Sequence, residues 1–184
     1  MLIVINYLFL KKKNLIIVRA GNIIGGGDFE FSRIIPELFL SLNKNQKLLL
    51  RNPNAIRPWQ HIFDVLNGLL LIILNNYKNI KNKTIVYNIG PNPNSNVSVL
   101  KLVKYIKKKI NKLVFYQNKN IIFSETKILK LSNKLIKKET KWKPLLTISK
   151  TINLTIEWYE TFYKKQESIY QFSINQLKKF FKLY

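Results

Sequence analysis

The residues with the most chemistry to offer fall in one short stretch, Arg51-Asn52-Pro53-Asn54-Ala55-Ile56-Arg57-Pro58-Trp59-Gln60-His61. Two arginines, a tryptophan and the only histidine crowd together there, and two prolines and two asparagines interrupt regular structure among them. The stretch reads as a site loop between the apolar Leu48-Leu49-Leu50 and a helical pattern that begins near Ile62. Guanidinium groups are rigid forks that meet phosphate through two parallel hydrogen bonds, a geometry lysine cannot supply. The basic residues of this chain are overwhelmingly lysine, yet arginine stands at positions 19, 33, 51 and 57 and nowhere else. Arginine used so sparingly, and twice in one loop, points to a phosphate-bearing ligand. For Trp59 and His61 the plainer reading is packing and a hydrogen bond at the start of the next helix.

A second such stretch is Arg19-Ala20-Gly21-Asn22-Ile23-Ile24-Gly25-Gly26-Gly27-Asp28, which follows the apolar run Asn14-Leu15-Ile16-Ile17-Val18. That run has the β-branched character of a strand buried on both faces of a parallel sheet. A glycine-rich turn at the carboxyl end of such a strand is where open α/β folds place ligands. Its spacing is not G-x-G-x-x-G, so it is not a dinucleotide loop. Two compatible readings stand. The glycines supply positive φ for a tight bend, or they let a substrate approach the backbone.

Other elements must position these stretches. Helical periodicity predicts helices over 31–42 and over 61–76, the latter with Phe63, Leu66, Leu70, Ile73 and Leu74 as its inward face. Residues 84–89 read as a strand. An amphipathic helix follows over 97–111, with Leu100, Val103, Ile106 and Ile110 inward and Lys101, Lys104, Lys107 and Lys108 in solvent. Strands over 113–116 and 121–123 precede helices over 132–140 and 149–165, with Ser132 as a cap. The apolar residues 1–10 carry their lysines behind them and are too short to span a bilayer, so neither a signal peptide nor a membrane anchor is expected. They read as the end of a strand or helix with partners upstream. Few other runs resemble 14–18, so the sheet is expected to be partial, with an uncovered edge near Val18.

Composition narrows the class. A chain of 184 residues can bury one sizeable core, or one domain with an appendage. With 47% hydrophobic and 22% charged residues it should fold. The net charge of +23 raises the alternative of a basic nucleic-acid-binding protein, whose affinity would fall steeply with salt. The lysines are spread among asparagine and isoleucine rather than gathered in a stripe, which argues against it. Cysteine is absent and histidine occurs once, so no disulfide and no metal site is expected, in keeping with a reducing cytoplasm.

The order of motifs carries a resemblance. Arg19 to Asp28, then Arg33-Ile-Ile-Pro36, then Arg51 to His61, resemble the CDP-glucose 4,6-dehydratases of the extended short-chain dehydrogenase/reductase, or NAD-dependent epimerase/dehydratase, family. Tyr87-Asn88-Ile89-Gly90-Pro91, Ser124 to Leu131 and Lys141-Trp142-Lys143-Pro144 resemble its later strand, substrate lid and turn before the last long helix, so the likeness runs from about residue 14 onward. It implies an α/β fold: the C-terminal part of a Rossmann-type parallel sheet plus a small nucleotide-sugar-binding domain. Residues 1–30 would be the remnant of the NAD-binding domain, 31–165 the substrate domain with interleaved sheet elements, and 166–184 a C-terminal helix, its stretch 172–184 matching the family's final helix with Ser173 as cap. It also implies NAD as cofactor and a chemistry in which C4 of a CDP-hexose is oxidised, water leaves across C5 and C6, and hydride returns to C6.

By the same resemblance, Asn22, Arg33, Arg51, Arg57 and Glu125 would bind the nucleotide-sugar, with Arg57 on its pyrophosphate, and Ala20 would lie against the nicotinamide. Relatives usually place histidine where Ser124 stands. The family's glycine-rich NAD loop and Tyr-x-x-x-Lys pair have no counterpart here, since Tyr105 and Lys109 have the spacing but fall in a peripheral amphipathic helix. No catalytic residue is therefore assigned. The chain is expected to be a carboxyl-terminal portion, inactive alone, whose partner is an upstream chain carrying the NAD domain or a second copy. Another nucleotide-sugar epimerase or dehydratase is the alternative within the family.

Overall fold

The computed structural model describes residues 2–7, 14–77, 84–117, 126–165 and 167–183. In order they form β1 (Leu2–Tyr7), β2 (Asn14–Ala20), β3 (Asn22–Ile24), α1 (Ile34–Asn43), β4 (Leu48–Leu50), β5 (Ile56–His61), α2 (Ile62–Asn76), β6 (Thr84–Ile89), β7 (Asn96–Ser98), α3 (Val99–Lys107), β8 (Phe115–Gln117), α4 (Lys134–Thr140), α5 (Ile148–Lys164) and α6 (Ile169–Phe181). This is the expected mixed α/β architecture with parallel strands. Among the described residues no helix is long and apolar enough to cross a membrane.

Three strands in the order β1-β2-β6 make the first sheet. β2 and β6 run parallel, with Val18 opposite Tyr87 and Ala20 opposite Ile89. β1 lies antiparallel along the other side of β2, from Leu2 opposite Arg19 to Tyr7 opposite Asn14. Two expectations are corrected here. Residues 2–7 find their partner within the chain, and β2 is a central strand whose edge is covered. One sheet face, with Ile16, Val18, Ala20, Tyr87 and Ile89, packs on Val65 and Ile72 of α2, Ile136 of α4 and Trp142.

A second core joins Ile35, Leu38 and Phe39 of α1 to Trp59, to Leu102, Val103 and Ile106 of α3, and to Ile152, Ile156 and Tyr159 of α5. It surrounds two small sheets, β3-β5-β7 and β4-β8. β5 is central in the first, parallel to β3 and antiparallel to β7. It holds Pro58, tolerated because the pairing with β7 ends at Pro58 opposite Asn96. The stretch 51–61 is thus only half a loop: its second half is a strand buried along nearly its whole length.

Helix α2 turns the opposite way from expectation. Leu66, Leu70 and Leu74 are exposed by 44, 51 and 72%, while Val65 and Ile72 are fully buried and Gly68 faces the core. A helix apolar around most of its circumference gives no periodic signal for its inner face. Tertiary contacts choose instead. A Cβ on Gly68 would meet Ile89 at 3.0 Å and Trp142 at 3.2 Å, so the smallest residue marks the closest approach to the sheet. The Asp64 carboxylate accepts from the backbone N–H of Leu145 (2.9 Å) and Leu146 (3.2 Å), and its carbonyl accepts from Trp142 Nε1 (3.1 Å). One acidic residue thereby ties α2 to the turn before α5.

Helix ends also shift. Thr147 caps α5 through the N–H of Lys150, and Ser168, not Ser173, caps α6 through the N–H of Gln171. Ser132 lies ahead of α4, whose N-cap position is Asn133. Asn133 makes no cap bond and donates to the Gly90 carbonyl instead (3.0 Å). Ser98 caps α3, which is shorter than the predicted 97–111 and buries Leu102 with Val103 and Ile106 while Leu100 is half-buried. Tyr105 is half-buried in α3 and Lys109 lies exposed beyond it. The predicted strand 121–123 lies outside the described residues.

Candidate functional site

A cavity of about 690 Å³ opens where β2 ends, walled by β3, the start of α1, and the turn between β4 and β5. Ala20, Asn22, Arg33, Arg51 and Arg57 all line it. The one remaining residue assigned to the site, Glu125, lies outside the described residues, as does Ser124.

Each wall has a local cause. Gly21 follows β2 and donates its N–H to the carbonyl of Ile89 at the end of β6 (3.2 Å). A Cβ there would stand 2.5 Å from the carbonyl oxygen of Pro58, so only glycine lets β2 run into β3 this close to β5. Asn22 then sits opposite Trp59 in the β3–β5 register. Trp59 is buried, lines the cavity, and donates its indole N–H to the Val97 carbonyl (2.9 Å), so it is first a packing residue.

The three arginines differ in setting. Arg33 occupies the N-cap position of α1 without a side-chain cap bond, and its Nη1 reaches Asp28 Oδ2 at 3.0 Å while most of the side chain stays in solvent. Arg51 donates from Nη2 to Glu37 Oε2 (2.7 Å) and from Nη1 to the Ser32 carbonyl (3.3 Å), which fastens the β4–β5 turn to the first turn of α1. Arg57 is 6% exposed, and its Nη1 donates to the carbonyls of Ile56 (3.0 Å) and Thr126 (2.8 Å). It draws the segment after residue 126 onto β5, where Ile56 also bonds Lys127 and Leu129 through its backbone. Three guanidinium groups against the carboxylates of Asp28 and Glu37 leave the cavity cationic and suited to an anion.

Asp28, Ser32 and Glu37 are site-wall residues that sequence reasoning missed. Asp28 carried a signal, an acid closing the glycine-rich stretch five positions before Arg33. Glu37 carried none, because its partner is fourteen positions away across a turn.

His61 does what the plainer reading assigned it. Its Nδ1 accepts from the Phe63 N–H (3.3 Å) and caps α2. It is 1% exposed, its Nε2 finds no partner among the described residues, and burial lowers its pKa to about 3, so the ring is neutral. The glycine-rich loop offers no dinucleotide cradle, since α1 begins only at Ile34, well beyond Gly27.

Comparison with known proteins agrees with this fold. Residues 3–90 match the family described as NAD dependent epimerase/dehydratase. The chain is 28% identical over 160 residues to CDP-glucose 4,6-dehydratase of Salmonella typhimurium, covering 83% of this chain and 43% of the relative. Among solved structures, dTDP-glucose 4,6-dehydratase from Bacillus anthracis in complex with NAD superposes with a TM-score of 0.65 at 20% identity, covering 79% of this chain and 44% of that one. UDP-glucose-4-epimerase from Stenotrophomonas maltophila, with bound NAD, gives 0.68 at 14% identity, covering 80% and 48%. The chain thus spans under half the length of these relatives, and the resemblance read from its motifs is borne out.

Proposed function

We propose that this chain, which carries the NAD dependent epimerase/dehydratase segment over residues 3–90, supplies the nucleotide-sugar-binding part of a CDP-glucose 4,6-dehydratase. The observation that carries the reading is the convergence of Arg33, Arg51 and Arg57, three of the four arginines in the sequence, on one cavity at the carboxyl end of β2. That is the position at which open α/β sheets bind ligands. In this reading Arg57, held on β5, faces the pyrophosphate, Arg51 flanks the nucleotide, Arg33 closes over it from the start of α1, and Asn22 and Glu125 contact the sugar. These groups bind and orient, and the groups that move protons come from elsewhere in the complete enzyme.

The complete enzyme would work with NAD. In this reading Ala20, at the end of β2 on the cavity wall, lies against the nicotinamide. In the proposed division, residues 1–30 belong with the cofactor domain, 31–165 form the substrate domain and 166–184 the C-terminal helix. A partner is supported by the second face of the β1-β2-β6 sheet. There Val86 is exposed, Leu15 and Ile17 are half-buried, and Asn88 Oδ1 is buried with no partner among the described residues. An upstream chain carrying the NAD domain, or a second copy, would cover that face in the cytoplasm.

The test is calorimetric titration with CDP-glucose and UDP-glucose of the wild type, Arg57→Ala and Arg51→Ala, with circular dichroism to confirm folding. Saturable, CDP-selective binding that both variants weaken about tenfold or more is expected, as for loss of a charged hydrogen-bonding partner. Folded wild-type protein that binds neither sugar, or variants that bind as well as it does, would overturn the reading.

A further inference from the structure

The loop that carries Asp28 is gripped from behind the cavity by α5. A Cβ built on Gly26 would stand 2.0 Å from ring carbons of Trp158, so the indole occupies the space a side chain there would need. Gly27 follows at a φ of 81°, which turns the chain toward Asp28. Phe29 then packs among Trp158, Tyr159 and Phe162, with ring centroids 6.2, 6.2 and 5.0 Å away. The Tyr159 hydroxyl donates to the Asp28 carbonyl oxygen. Trp158 is itself fastened from the far side, its Nε1 donating to Ser173 Oγ on α6 (2.8 Å).

On the cavity side, Asp28 accepts from the N–H of Glu30 (3.1 Å) and from Arg33 Nη1 (3.0 Å). So exposed an ion pair contributes little to stability. Its geometry is nevertheless fixed from three directions: the indole on Gly26, the phenol on the Asp28 backbone, and the aromatic cluster around Phe29. A loop held this firmly places its carboxylate, and the carboxylate places the arginine.

We infer that Trp158 is a positioning residue: latched by Ser173 of α6, it seats the Gly26–Asp28 loop so that Asp28 holds Arg33 over the cavity. The inference rests on the reading of that cavity as a nucleotide-sugar site. It assigns α5 and α6, which supply no cavity wall, a role in ligand affinity exercised through Arg33.

A double-mutant cycle separates positioning from general stability. CDP-glucose affinity is measured by calorimetry for the wild type, Gly26→Ala, Arg33→Ala and the double variant. The new methyl group of Gly26→Ala must displace the indole or the loop. It should weaken binding about two- to thirtyfold, the usual range for coupled positions, and have little further effect once Arg33 is gone. Trp158→Phe, which keeps an aromatic ring but loses the bond to Ser173, provides the same cycle if Gly26→Ala fails to fold. Unchanged affinity, or equal loss with and without Arg33, overturns the inference while leaving the binding site standing. A wild type that binds no nucleotide-sugar overturns the site assignment and this inference with it.

Discussion

Two buried groups at the start of α2 should oppose one another as pH falls, and the opposition can be measured. Burial lowers the pKa of His61 from 6.5 to about 3. The unfolded chain therefore takes up a proton over that window and the folded chain does not. The contribution of His61 to stability is full above pH 6.5 and is lost as pH falls toward 3. Asp64 has the opposite sign. Burial raises its pKa from 3.8 to about 6, against the lowering effect of the N–H bonds from Leu145 and Leu146. The folded chain takes up this proton first, so acid adds stability between pH 6 and 3.8.

Each proton is worth about 1.4 kcal/mol per pH unit. Integrated, that is on the order of 5 kcal/mol lost through His61 and on the order of 3 kcal/mol gained through Asp64. Between pH 6 and 4 the two slopes nearly cancel. His61→Asn keeps an N-cap acceptor and removes one titration, and Asp64→Asn removes the other. Urea unfolding followed by tryptophan fluorescence from pH 4 to 7.5 is compared with the double variant, which carries the background of all other groups. Relative to it, Asp64→Asn should lose about 2 to 3 kcal/mol between pH 6 and 4. His61→Asn should gain a similar amount, and the wild type should change little. Single variants whose pH curves run parallel to that of the double variant would refute the reasoning.

Other consequences follow from packing. Gly21→Ala places a methyl group 2.5 Å from the Pro58 carbonyl oxygen, and separating β3 from β5 to admit it should cost about 1–3 kcal/mol in urea unfolding. The orientation of α2 makes a paired prediction. Leu70→Gln, on the exposed face, should change stability by less than about 0.5 kcal/mol, while Ile72→Ala, at a fully buried position, should cost about 2–5 kcal/mol. Reversed values would restore the face read from periodicity.

Local patterns made much of this molecule legible. The β-branched run 14–18 is a strand in parallel contact with the predicted strand 84–89, and the alternation of lysine with apolar residues placed α3. The scarcity of arginine singled out positions 33, 51 and 57, and the structure gathers them around one cavity. Motif order placed the chain beside its relatives. Local patterns failed where the answer depended on what packs against what. The second half of the stretch 51–61 looked irregular because of Pro58, yet β3 and β7 make it a central strand. Ser132 and Ser173 had the composition of caps, but the one precedes the cap position and the other takes the Trp158 indole as its partner.

Which residues carry charge, which runs are apolar enough to be buried, and where the backbone can bend could all be read along the chain, because these are properties of residues and their immediate neighbours. Packing in three dimensions set which side of α2 faces inward, that Glu37 holds Arg51, and that α5 grips the glycine loop through Trp158. Those contacts join residues far apart in the chain. Their energies depend on shape and approach across the core, and no local pattern records them.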